Sequence, residues 1–290
     1  MYKKTIFAAL AILALVSMAC GVTINVPGED VKTGPTQTMT LDVATPSQSP
    51  AELKLEFGAG ELNVAPGAGD MLLQGTAKFN VEDFRPEVIQ NGASVTVSSG
   101  DLEIRGFPSV NTRDFENIWD LKLGTVPMNL SINAGAYQGK IDLGGLSLLN
   151  LDVNDGAADS NLDFSAPNLV EMGTLRYTTG ASNIELSGLA NANFGSMIFR
   201  SGAGDYTLNF SGTLQRDAKV DIESGVSQVT IIVPEGVSAR LNFTGGLSNV
   251  DLQGAWEKSG ANSYELQGSG PTLEIVVEMG AGNLVLRTSK

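Results

Sequence analysis

Carboxylates are the only side chains plentiful enough in this sequence to suggest chemistry. There are 32 Asp and Glu against 18 Lys and Arg, with no histidine and a single cysteine, Cys20. Asp152, Asp155 and Asp159 fall close together in DVNDGAAD, and two carboxyl groups at a fixed separation are all that glycoside hydrolysis requires. The same run is also a turn composition, in which Asp and Asn bond to nearby backbone. Without histidine there is no Ser-His-Asp triad, no His-ligated zinc and no use of the commonest general base. Gly-Ala-Gly at 58–60, 202–204 and 280–282 lacks the Gly-Lys-Ser/Thr of a phosphate loop. A further acidic set, Asp142, Asp163 and Glu185, is expected to form an outward ladder about 5 Å apart, tolerable only if solvated, staggered or neutralised by a cation. Calcium would need six to eight oxygens, and the Gly-Gly-x-Gly-x-Asp spacing of calcium-binding rolls is missing. We therefore expect no catalytic residue, no metal and no cofactor.

The elements that position these acids are set by a phrase that occurs eight times. Apolar residues stand five and three places before a glycine, and another apolar pair follows it, around Gly58, Gly135, Gly156, Gly180, Gly202, Gly225, Gly246 and Gly280. Leu53/Leu55 with Leu62/Val64, and Leu175/Tyr177 with Ile184/Leu186, are examples. In the second and third units the following pair is Ile141/Leu143 and Leu162/Phe164, which implies an insertion of two residues. Period-two alternation is what a strand with one buried face requires, so each unit is strand, corner, strand. A glycine corner supplies positive φ and lets neighbouring turns approach.

From Gly135 to Gly246 the glycines recur every 21 to 24 residues, with a third apolar anchor at Leu146, Leu169, Leu189, Leu214 and Val237. That layout predicts an all-β fold, a β-solenoid of stacked coils of about 22 residues, each burying its apolar face against its neighbours. A β-sandwich is the alternative. Eight coils would stack over roughly 40 Å. Only EDFRPEVI (82–89) and RDFENIWDL (113–121) could form a helical turn, and Pro86 interrupts the first.

The first residues differ in kind. Lys3 and Lys4 precede an apolar run from Ile6 to Val16, too short for a bilayer span, followed by small residues. We expect a signal peptide over 1–19, cleavage before Cys20 and lipidation of Cys20, since VSMACG resembles a lipoprotein cleavage box. Residues 20–51 are expected to be a flexible tether rich in Thr, Ser, Pro and Gln, 52–128 an irregular N-terminal β region, and 129–290 the regular repeats of the same stack. The chain would then be extracytoplasmic, attached to a bacterial membrane through the lipid. Its net charge of −14 and pI near 4.4 argue against nucleic acid as a partner.

The runs NIWDLKLGTVPMNLSINAGAYQGKIDLGGLSLLNLDVNDGAADSNLDFSAPN, TLRYTTGASNIEL, SMIFRSGAGDYTL and KVDIESGVSQVTIIVPEG resemble the toast-rack family of bacterial cell-envelope proteins and the related β-repeat domains of candidate adhesins. The resemblance covers roughly Leu53 to Lys290 and implies an all-β rack on an exported or membrane-tethered protein, with no catalytic residues to carry over. Related domains sit on envelope-stress regulators that usually have transmembrane helices. The function expected first is a surface adhesion or interaction module with an unknown protein or glycan partner. An accessory sensor of envelope stress comes second, and a polysaccharide-active enzyme third. The last repeat ends near the C-terminus with Val276 and Val285 in outward places. It is expected either to leave an open edge for end-to-end self-association or to be covered by GAWEKSGANSYELQGSG.

Overall fold

Apolar pairs on both sides of a glycine fold here as one long strand that bends at the glycine, so that both halves keep their apolar side chains inward. The computed structural model describes residues 33–99 and 115–289; the signal segment and Cys20 lie outside them. The strands are β1 (Gln37–Ala44), β2 (Ala51–Pro66), β3 (Met71–Phe79), β4 (Pro86–Asn91), β5 (Ser94–Ser99), β6 (Asn117–Leu123), β7 (Met128–Asp142), β8 (Leu148–Asp163), β9 (Met172–Ser187), β10 (Phe194–Asn209), β11 (Ala218–Pro234), β12 (Gly236–Gln253), β13 (Glu257–Lys258), β14 (Ser263–Leu266) and β15 (Gly268–Ser289). All belong to one sheet. The long strands β2, β7, β8, β9, β10, β11, β15 and β12 are parallel neighbours in that order. Each has a first leg before its glycine and a second leg after it, and the architecture is a solenoid-like stack rather than a sandwich.

The constant phase of the glycines has a steric cause. A Cβ on Gly135 would lie 2.3 Å from the carbonyl oxygen of Gly58, one on Gly180 2.3 Å from that of Gly156, and one on Gly202 2.5 Å from that of Gly180. Contact that close admits only a hydrogen. Positive φ was expected at these corner glycines, and the structure places it elsewhere: Gly60, Gly204 and Gly282, two residues further on, have φ of 131°, 151° and 132°. The corner glycine is kept by its neighbour's carbonyl.

Register corrects the supposed insertion in the second and third units. Val64 pairs with Ile141, Ile141 with Leu162 and Leu162 with Leu186, so the inward row is continuous. Gly139 and Ser160 simply occupy the row of Leu62 and Ile184. They are small because the Tyr137 ring fills that space: a Cβ on Gly139 would meet Tyr137 Cε2 at 2.6 Å.

The third side of each coil is irregular chain. Leu146 and Leu189 are buried there as expected, but Leu169 is 63% exposed. The neighbouring Asn168 takes the inside place, donating to the carbonyls of Leu148 and Val170 and accepting from Leu148 N–H. Its bonds to Leu148 pair backbone groups that are buried at this corner.

Both ends depart from the sequence reading. The tether expected over 20–51 contains β1, which pairs antiparallel with β3 and buries Leu41 and Val43. Met39, Leu41 and Val43 alternate inward, a period-two signal set among Thr, Ser and Pro. The first leg of β2 is covered by β5, then β4, and its second leg by β6, then β3, then β1. A short helical turn occurs at Glu82–Phe84, whereas Asn117–Leu123 is strand.

At the C-terminal end the final strand is internal. β15 inserts between β11 and β12, so the terminal coil is that of Gly246, not Gly280. Val285 is accordingly buried and Val276 is 44% exposed. The first leg of β12 is capped by β14 and β13, with Trp256 buried against the core. Its second leg has β15 on one side and, among the described residues, no strand on the other.

Candidate functional site

The residues free to vary from coil to coil are the outward ones, and they are most continuous on the second leg. One row runs Glu61, Gln138, Asp159, Asn183, Asp205, Gln228, Asn283, Asn249 across eight parallel strands. Every member is an acid or a carboxamide, and no two acids are adjacent. Amides between acids remove the like-charge repulsion of a pure carboxylate ladder. They also bond along it: Asn183 Nδ2 donates to Asp159 Oδ1 at 3.2 Å and Asn249 Nδ2 to Asn283 Oδ1 at 3.3 Å.

The acidic ladder expected from Asp142, Asp163 and Glu185 is only partly assembled. Asp142 opposes Asp163, but Glu185 opposes Asn161, because the continuous register sets Ser187 opposite Asp163. Burial, then the charge of Asp142, raises the Asp163 carboxyl above its usual value. This pair is the nearest approach to a catalytic carboxylate couple on that face. Asp142 is already committed as a turn staple, with both oxygens accepting from Ser165 Oγ at 2.8 Å and Oδ1 from Gly144 N–H at 2.9 Å. No described group of three or more acids or thiols could hold a metal ion.

Toward the N-terminal end the same face forms a groove of about 800 Å³, lined in part by Thr40, Asp42, Gln74, Asp120, Lys122 and Lys140. β1, β3, β6, β2, β7 and β8 supply it, so the strands that cap the core also widen the outer face. Asn63 donates to Asp120, and Gln74 to Asp42. Neither Lys122 nor Lys140 has an ion-pair partner among the described residues. The groove therefore mixes free cations, acids and amides.

Asp152, Asp155 and Asp159, close in sequence, are separated by the fold. Asp152 lies on the outer first leg and pairs with Arg176 at 3.4 Å. Asp159 belongs to the outer row just described. Asp155 points inward at 6% exposure. Tyr177 Oη donates to its Oδ2 at 2.8 Å, Tyr137 Oη at 3.3 Å, and Thr179 Oγ1 donates to Oδ1. Burial raises the Asp155 carboxyl against the opposing effect of these three donors. Burial, reinforced by the Asp155 charge, pushes the Tyr137 hydroxyl up to about 12. A buried carboxylate satisfied by donors from β7 and β9 ties its own coil to both neighbours; it offers no exposed acid. Parity was the missed signal, since Leu151 and Val153 fix Asp155 as the next inward position.

Sequence comparison agrees with this architecture. The family described as the N-terminal domain of toast_rack, DUF2154, matches residues 29–172 and 169–232, and the chain belongs to that family. A candidate cell adhesion protein from Clostridium sporogenes ATCC 15579 is 19% identical, with 88% of this chain and 100% of that one covered and a TM-score of 0.51; the similarity is one of fold. A candidate lipid binding protein from Parabacteroides distasonis ATCC 8503 is 11% identical over 89% of this chain and 98% of its own, at a TM-score of 0.42, too low to support an argument. No curated protein matches the chain. No helix among the described residues is long and apolar enough to cross a membrane.

Proposed function

We propose that this protein is a non-catalytic, surface-anchored interaction module of the adhesin type, extracytoplasmic and held to the bacterial membrane by a lipid on Cys20. The outer face of the second leg holds an extended partner, a glycan chain or a polypeptide. The observation that carries this reading is the unbroken row of acids and amides from Glu61 to Asn249, which opens into the mixed-charge groove at Lys122 and Lys140. Side chains of this kind exchange hydrogen bonds with a polar ligand at little cost to the fold, because most apolar residues of these strands are inward. The name of the Clostridium sporogenes neighbour supports the same use. Catalysis is disfavoured by the commitments of Asp142 and Asp155, the two best-placed acids.

The test uses the full chain displayed on cells. Replacing Asp159, Asn183 and Asp205 together by Ala should lower retention on immobilised polysaccharide or matrix protein at least tenfold. Replacing Asn129 and Asn150, on the outer first leg, should leave it unchanged. Equal retention for both variants, or turnover of the bound polysaccharide, would reject the reading. Anchoring is tested separately: Cys20→Ala should release the protein into the medium, and retention in the membrane fraction would count against the lipid.

A further inference from the structure

We infer that the open second leg of β12 is a self-association edge, through which a second copy of this chain adds its own β12 antiparallel across a two-fold axis. The two legs of this strand differ sharply. Ala239–Asn242 is covered by β14, while beyond Phe243 no strand pairs with the outer edge among the described residues. An unpaired edge presents a row of backbone donors and acceptors that another strand can satisfy. Natural edges are guarded by charge, proline or bulges. Here the stretch Gly245–Gln253 holds one charged residue, Asp251, and no proline.

Apolar surface is uncovered at the same place. Leu247 is 86% exposed, Leu252 37%, and Val250 is half-buried at the end of the core. The opposite edge of the same leg, β1, offers only backbone, because its inward Leu41 and Val43 are already buried to 1% and 4% exposure. A join between β12 and β1 would also be head-to-tail and open-ended, whereas a join between two β12 edges closes on itself.

One alignment satisfies the side chains. With Val250 opposite its own copy, each Asp251 faces Asn249 of the other chain and each Ser248 faces Leu252. Asp251 then meets a carboxamide in place of a second carboxylate, and the two inward Val250 side chains meet across the axis. A shift of one residue either way would turn the inward residues of one copy to the outward side.

Residues directly opposite in an antiparallel pair have Cα atoms about 4.5–5.5 Å apart, within disulfide range. In intact cells under mild oxidation, full-length Val250→Cys should therefore run as a disulfide-linked dimer. Val276→Cys, 44% exposed on the first leg, and the unsubstituted chain should give no disulfide-linked dimer, and Leu247→Lys added to Val250→Cys should lower the crosslinked dimer several-fold. If Val250→Cys fails to fold, co-expressed Asn249→Cys and Asp251→Cys chains should crosslink to each other. No dimer, equal dimer from Val276→Cys, or crosslinking of Val250→Cys mainly to a Met39→Cys chain would overturn the inference.

Discussion

At its N-terminal end the stack is closed on both legs: β5 and β4 cover one, and β6, β3 and β1 cover the other. At its C-terminal end the β13–β14 hairpin closes the first leg, and among the described residues no strand closes the second. The N-terminal cap is built from segments outside the glycine phrase, and it brings Trp119 fully inside, edge-on to Phe57 at 5.2 Å and 71°. Among the described residues, the C-terminal end has no such layer over Val250 and Leu252. A repeat propagates wherever a neighbour repeats it, and it stops only where other sequence supplies a different strand. Where that sequence is missing, apolar and backbone surface remain available to a partner.

Large-to-small substitutions should show the difference most strongly. Trp119→Ala should cost about 4 kcal/mol, in the range for deleting a core aromatic. Trp256→Ala, which uncovers one coil at the half-open end, should cost about 2 kcal/mol because that coil can relax. Denaturant titration of both variants measures this, and equal losses would mean that the ends are equally closed.

Glycine substitutions come next. Gly180→Ala drives a methyl into the Gly156 carbonyl with coils packed on both sides, and should cost about 3 kcal/mol. Gly246→Ala, whose Cβ would lie 2.7 Å from the Gly280 oxygen, sits on the terminal coil and should cost about 1 kcal/mol. A reversed order would remove the close-approach explanation of the repeat.

Much of this was legible in the sequence: the glycine phase, the inward pairs and the stacked class. The order of the last two coils was not, because the phrases around Gly246 and Gly280 are interchangeable and chain order says nothing of which lies outside. The ladder failed in part because Gly139 and Ser160 replace apolar residues, which disguises a continuous register as an insertion. β1 was hidden by its Thr-rich surroundings, although Met39, Leu41 and Val43 carry the period.

A smaller effect separates the middle of the stack from its ends through pH. Because burial raises the Asp155 carboxyl, the folded protein binds that proton more tightly than the unfolded chain. Its contribution to stability is fully present below the unfolded value of about 4 and is lost as pH rises through the folded value. Unfolding titrations at pH 7 and pH 4 should therefore show the wild type gaining stability relative to Asp155→Asn as pH falls. A constant difference would show that Asp155 is not strained by burial. Smallest of all, Leu247→Lys on the exposed edge should change stability by less than about 0.5 kcal/mol while weakening self-association.

Hydrogen–deuterium exchange of the intact protein at two concentrations tests the difference between the ends most directly. In dilute solution the amides of Gly245–Gln253 that do not bond to β15 should exchange within seconds, while those of β6 and the first leg of β12 stay protected. Raising the concentration should slow exchange in Gly245–Gln253 alone. Uniform protection of both legs at every concentration, or slowing at β1 in place of β12, would contradict the account.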